Sequence, residues 1–406
     1  MINCRTVSLR NSRAAAVALV TAACFTDIVA LGVAVPVLPD LSRRLGASPA
    51  MIGLLFGSFG ATMLLVSMPM GAVSDRVGRR GPMLTGLVAL AASTLLFAYA
   101  QRLPALFAAR LVQGAADATT WVVGFALVAD LYAPEERGRV TGIILGGVST
   151  AYLVGPSIGG WLYELGGIRL PFLVVTGMAV VTTAGFAWLR LPDHRATREP
   201  IPFGALVRHP QVLTCIVVVL LMASTMTMFE PVFVLFLQDT LHIGPARVGT
   251  VFAAAALANT GFHPLVGRMS DKWGARRMVG IGLLAWSVVL PFVALAWSFP
   301  SAVVLCVLQA AAFALVGAPS LTFMADATTD AGLGSFGAAY GLYNAVWAVG
   351  LLAGPPIGGF LYERMGFASL ALRWSAVVVV IALALPVFRS ASTARRSPAS
   401  PTAAKS

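Results

Sequence analysis

The sequence predicts an all-α membrane protein of two six-helix bundles related by pseudo-twofold symmetry. Three observations carry that prediction. Charged residues make up 11% of the 406-residue chain, less than half of the ~25% usual in soluble domains. With 58% hydrophobic residues and a mean hydropathy of +0.86, the apolar surface exceeds what so few charges could cover in water, so lipid is the solvent. About twelve apolar runs follow one another, each near the ~20 residues that cross a ~30 Å hydrocarbon core. Finally, GPSIGGWLYE (Gly155–Glu164) returns as GPPIGGFLYE (Gly354–Glu363) 199 residues later, with eight of ten positions identical. The runs do not alternate polar and apolar, so helices rather than barrel strands span the membrane.

The elements follow in order. Span one, 14–38, is too long for a signal-peptide core and carries Asp27 at its middle. Span two, 49–73, ends in the charged loop Gly71-Ala-Val-Ser-Asp75-Arg76-Val-Gly78-Arg79-Arg80. Span three is 81–101. Span four, 103–132, holds Arg110, Gln113 and Asp117 and closes on Asp130. Span five, 140–163, contains the first Gly-Pro segment, and span six is 168–191. The polar, Pro-rich stretch 192–210 reads as a cytoplasmic linker between the bundles 1–191 and 211–389. Span seven, 211–238, contains Glu230-Pro231, and span eight, 245–268, contains His263-Pro264. Spans nine and ten are 278–298 and 300–325, with Asp326 at the end of the latter. Spans eleven and twelve, 334–362 and 368–388, lead into a Ser/Ala/Pro/Arg-rich tail, 390–406, that reads as disordered.

The repeat extends beyond one helix. GAVSDRVGRR matches GRMSDKWGARR (Gly267–Arg277), and the segment Leu45–Gly53 matches Leu241–Gly249, both at an offset of 196. Asp130 likewise matches Asp326. Spans 1–6 and 7–12 are therefore parallel copies, an arrangement common in transporters whose site lies between the halves. Alternate loops with both termini collect 20 of the 28 basic residues, against seven in the opposite set, which places both termini in the cytoplasm. That topology, rather than nucleic-acid binding, accounts for the net charge of +12. The four cysteines show neither CxxC nor metal spacing.

These motifs together resemble the major facilitator superfamily over all twelve spans. Gly71-x-x-x-Asp75-Arg76-x-Gly78-Arg79-Arg80 looks like its loop between helices 2 and 3, and Leu106-x-x-x-Arg110-x-x-Gln113-Gly114 like its helix-4 motif. Gly146 with Gly155-Pro156-x-x-Gly159-Gly160 is similar to the helix-5 motif of antiporters. Leu31-Gly32-x-x-x-Pro36-x-x-Pro39 fits helix 1 of twelve-helix drug:proton antiporters. Asp27, Phe229-Glu230-Pro231, Pro134–Gly138 and Asp326 make the chain most similar to the vesicular monoamine transporter branch. It departs from that branch at Asn344, where an Asp is typical, and at Asp117, where a small residue is typical. The short loop after span one and the lack of a sequon fit a bacterial plasma-membrane exporter.

Buried charge marks the expected site, because a carboxylate at the bilayer centre costs roughly 2.5–3.5 kcal/mol. Asp27 is the first candidate for a site that trades a proton for a cationic substrate, and Glu230 the second. Arg110 and Asp117 stand seven residues apart, on one face and ~10 Å apart along the axis. Arg110 reads equally as a proton-relay member or a structural clamp, and Asp117 as a clamp or a substrate contact. Asp326 is a proton-site candidate by resemblance, while its repeat copy Asp130 sits where an acid could pair with Arg76 or Arg79. Phe229, Tyr152, Tyr340, Tyr343 and Trp347, with Trp121, Met226 and Phe233, are candidate cavity residues, since organic cations bind aromatic faces beside a carboxylate. Gly71, Asp75, Arg76, Gly78, Arg79, Arg80 and Asp271 form candidate gates, and Gly155, Pro156 and Gly159 candidate rocking contacts.

The function expected is proton-coupled antiport of small amphipathic, cationic compounds by alternating access, with multidrug or amine efflux the expected role. Import of a small nutrient is the alternative. The expected partners are the small-molecule substrate, protons and the lipid bilayer, with no nucleic acid, no cofactor and a monomer as the working unit. No phosphate loop, metal cluster or nucleophile constellation points to an enzyme.

Overall fold

The structure is a computed structural model that describes residues 13–189, 209–330 and 336–385, apart from the side chains of Met68, Pro134, Glu135 and residues 336–340. The first half comprises α1 (Arg13–Arg44), α2 (Pro49–Val77), α3 (Arg80–Tyr99), α4 (Leu103–Leu131), α5 (Pro134–Gly166) and α6 (Arg169–Trp188). The second comprises α7 (Pro210–Asp239), α8 (Pro245–Trp273), α9 (Ala275–Val289), α10 (Phe299–Asp330) and a last helical run, Phe336–Ala384. Gly366 divides that run with a φ of 72°, so its two arms are α11 (residues 336–365) and α12 (367–384). Its repeat counterpart Gly167, at φ 69°, parts α5 from α6 in the same way. A side chain would strain the backbone at such a φ.

Local chemistry explains most boundaries. Proline occupies the first turn of α2, α4, α5, α7 and α8, where no backbone N–H is lost from the helix ladder. Ser48 caps α2 by accepting from the Met51 amide at 3.4 Å. Span nine differs from its expected single helix. α9 ends at Val289 and tightens into a 3₁₀ turn over Leu290–Leu295, because Pro291 lacks an amide proton.

Among the described residues, ten helices are long and apolar enough to cross a membrane, α11 and α12 counting there as one. The helix outside that set is α8, expected as a span over 245–268. It carries Arg247, Asn259, His263 and a charged end, and it is held instead by α5 and α10. Asn259 donates to the Ala310 carbonyl of α10 at 3.1 Å.

Each half has its own core. Leu38, Ile52, Met83, Leu106 and Phe172 fill the first, and Val218, Met222, Leu283, Val316, Phe236 and Phe367 the second. The halves meet chiefly through α2 against α11 and α5 against α8. At the centre they exchange side chains: Val35 of α1 packs into the second core and Leu235 of α7 into the first. Leu65, Val181, Trp297 and Val380 stand exposed on the outside, as lipid-facing residues do. Most of the expected linker (192–208) and the tail 390–406 lie outside the described residues.

Candidate functional site

The deepest charges form two groups between the helices. Asp27 of α1 is fully buried, and its carboxyl lies within hydrogen-bond reach of Asp117 of α4. The Trp121 indole N–H donates to Asp27 Oδ2 at 3.1 Å, while Asp27 Oδ1 accepts no hydrogen bond. Two carboxylates have no donor between them, so this contact calls for a proton. Two turns back along α4, the buried Arg110 donates to Gln113 Oε1 at 2.8 Å and lies over the rings of Phe56 and Phe59, 4.6 and 5.6 Å from their centroids. Its charge is answered across the halves by Glu230 of α7, without a direct ion pair. Helix α4 thus presents an acid to α1 and a base to α7.

The two faces of the bundle differ. On the face of the α1–α2 turn the halves are shut. Arg43 of α1 pairs with Asp239 of α7 and also donates to Gln238 Oε1 at 2.6 Å. Backbones touch there. A Cβ at Gly160 would fall on the Pro245 carbonyl, one at Gly249 on the Pro156 carbonyl, and one at Gly359 on the Pro49 carbonyl. Ser157 also donates to the Gly249 carbonyl at 3.2 Å. On the face of the α2–α3 turn the halves part. A Cβ at Gly138, Gly142, Gly146, Gly261 or Gly267 would meet nothing, and α8 is exposed from Gly261 to Leu265.

On that open face Arg79 organises the charged loop. It pairs with Asp75 at 2.5 Å and Asp130 at 2.7 Å and donates to Ser74 at 2.7 Å. Burial works against the Arg79 charge, but Asp130 and Asp75 outweigh it and hold the guanidinium above its ordinary range. Gly78 turns the chain at φ 86°, as Gly274 does at φ 85° in the second half. Arg80 donates to the Ala187 carbonyl at 2.5 Å, while Arg76 and Asp271 are exposed.

The other predicted residues are dispersed. Gly155 and Gly159 face α1 within their own half, against Gly32 and Val33; Gly160 is the glycine that meets the other half. Asp326 is exposed one turn from the end of α10 and stands outside both buried groups. Phe229 and Phe233 pack on Phe367 in the second core rather than standing free. Tyr343 stacks on Trp347 with centroids 6.2 Å apart and shares a 3.1 Å hydrogen bond with Ser320. Asn344 is half-buried on the same helix, Tyr152 is 46% exposed on α5, Met226 is partly buried against the second core and His263 is exposed; the Tyr340 side chain lies outside the described residues. Sequence reasoning missed Arg43 and Asp239. Their signal was an offset of 196, the repeat's own, with opposite charges at equivalent positions.

The family model of the Major Facilitator Superfamily matches residues 18–235 and 215–405. The chain belongs to the major facilitator superfamily. This member is 30% identical to the probable vesicular acetylcholine transporter-B of Danio rerio, over 91% of the chain and 78% of the relative. It is 26% identical to the MFS-type transporter SLC18B1 of Homo sapiens, over 89% of the chain and 83% of the relative. It is 25% identical to the synaptic vesicular amine transporter of Bos taurus, over 81% of the chain and 64% of the relative. The superfamily fold is equally evident against a crystal structure of a bacterial homologue of the human lysosomal transporter Spinster in an inward-facing, occupied conformation. The TM-score there is 0.76 at 17% identity, covering 92% of this chain and 95% of that one. The chain is thus a multi-pass membrane transporter of this superfamily, related to vesicular amine and acetylcholine transporters.

Proposed function

We propose that the protein is a proton-coupled antiporter that exports small amphipathic organic cations across the plasma membrane, with both termini cytoplasmic. In that orientation the open face is the cytoplasmic one, and the structure corresponds to an inward-facing carrier. The observation that supports this reading most is the Asp27–Asp117 pair, buried and in contact with no basic side chain among the described residues. A proton held between the two carboxyls leaves the pair with one negative charge. An organic cation approaching Asp27 beside the Trp121 ring meets both a carboxylate and an aromatic face, and its arrival favours release of the shared proton. Arg110 and Glu230 offset one another's charge across the halves, so they add no net charge to the exchange. The related amine and acetylcholine transporters support a cationic substrate. A monomer suffices, because both halves of the path lie in one chain.

The test uses purified protein in liposomes, a panel of fluorescent organic cations and an imposed pH gradient. Wild type is expected to accumulate cations against an opposing proton flux, and Asp27→Asn to lose the gradient-driven component at least tenfold. Full coupled transport by Asp27→Asn would overturn the assignment. Proton-coupled uptake of a neutral or anionic solute with no cation flux would favour the importer.

A further inference from the structure

The duplicated Gly-Pro segment ends, in both copies, in Tyr-Glu: Tyr163-Glu164 and Tyr362-Glu363. Neither glutamate belongs to the buried charge groups or to the charged loop. Both do the same thing in the structure. Glu363, at the end of α11, accepts from the Ala50 amide at 3.0 Å, in the first turn of α2 of the other half. Glu164, at the end of α5, accepts from the Ala246 amide at 3.3 Å, in the first turn of α8 of the other half. The acceptor sites are themselves repeats, Pro49-Ala50 and Pro245-Ala246, at the offset of 196. Each alanine stands second in its helix, after the proline, where its amide has no backbone carbonyl of the same helix to donate to.

The neighbouring tyrosines lie at the same seam. Tyr163 donates to Asp40 of its own half at 2.5 Å, where Arg44 also binds at 3.1 Å. Tyr362 lies near Asp239 of its own half and packs against both cores. Tyr163 ties the end of α5 to its own bundle and Tyr362 sits at the seam between the two, while the next residue of each reaches the other half. Gly160 and Gly359 lie one turn earlier and bring the same helix ends to backbone contact with Pro245 and Pro49.

We propose that Glu164 and Glu363 are positioning residues of the transport cycle, a paired latch in which each half caps a helix of the other and holds the α1–α2 face shut. Both contacts break when that face opens. A carboxylate at a helix N-terminus also answers the helix dipole, and losing one is worth roughly a two- to fivefold change in population. The latch concerns the closed face alone and does not depend on the proton and cation assigned above.

The test measures distance, not transport, on the full-length protein. Spin labels are placed at Leu165 and Thr240 across the α5–α8 side, and in a second sample at Met51 and Arg364 across the α2–α11 side, all exposed or at the exposed margin. Wild type should show one short distance at each pair. Glu164→Ala and Glu363→Ala should each add a longer distance at both pairs, because the halves move as bodies, and the double variant should compound the two shifts. Glu164→Gln and Glu363→Gln keep an acceptor oxygen and should shift less; they serve where an alanine variant does not fold. Unchanged distances would overturn the proposal. So would lengthening confined to the pair beside the substituted glutamate, which marks local fraying of one helix rather than a latch.

Discussion

Arg79 shows what one residue decides on the open face. Its side chain is 2% exposed, and it holds Asp75 and Asp130 together through separate nitrogens. Removing it leaves two carboxylates facing each other with no cation, a change that costs about 3–5 kcal/mol when an ion pair is buried. Arg79→Ala should therefore lower the melting temperature in detergent markedly. Arg79→Lys should lower it less, since lysine keeps the charge but cannot reach both acids. An unchanged melt for Arg79→Ala would show that solvent replaces the pair. The sequence made the Asp75–Arg80 loop legible through its repeat, and Asp130 through its partner Asp326. It left open whether Arg76 or Arg79 takes Asp130. Burial chooses Arg79, because the preceding Gly78 turn brings that side chain back between α2 and α4 while Arg76 faces water. Likewise, nothing in the spacing of Asp27 and Asp117 brings them together; the contact needs α1 laid against α4.

At the scale of elements, the glycines divide by what they touch. The repeat named Gly155, Pro156 and Gly159 as one rocking surface. The packing assigns Gly155 and Gly159 to α1, and Gly160 with the Pro156 carbonyl to α8. Gly160→Val should force α5 from α8 at the shut face and raise access to the buried interior from that side several-fold, read by thiol labelling of Ala34→Cys, a position of α1 that is fully buried while that face is shut. Gly146→Ala, which meets open space on the same helix, should leave labelling unchanged and alter stability by no more than about 1 kcal/mol. Equal effects from the two would remove the distinction. Helix propensity could not predict this, because both glycines occupy helical positions and differ only in their neighbours. The same holds for α8, whose composition falls short of a membrane span and whose place is secured by α5 and α10.

For the whole molecule, the repeat offset becomes geometry. Arg43 and Asp239 are equivalent residues of the two halves and they meet, so the pseudo-twofold axis passes between them. Contacts on that axis must separate when the halves rock. Joining Arg43→Cys to Asp239→Cys with a short bifunctional thiol reagent should stop turnover. It should also leave the cavity open to labelling from the cytoplasm, with reversal on cleavage of a reducible linker. Continued turnover after complete cross-linking would place the moving boundary elsewhere, and labelling only from the outside would reverse the orientation.

Composition, span length and the internal repeat settled the class of this chain, its two-bundle plan and the positions of its membrane-embedded charges. Those properties are local: they depend on how many apolar residues lie in a row and which charges interrupt them. The pairings came from the tertiary structure alone. Asp27 with Asp117, Arg110 across from Glu230, Arg79 with Asp130, and Glu164 and Glu363 on the opposite half all join residues from different helices. A helix periodicity reports which side of one helix a residue occupies; which neighbour lies there is set by how twelve helices close around two cores.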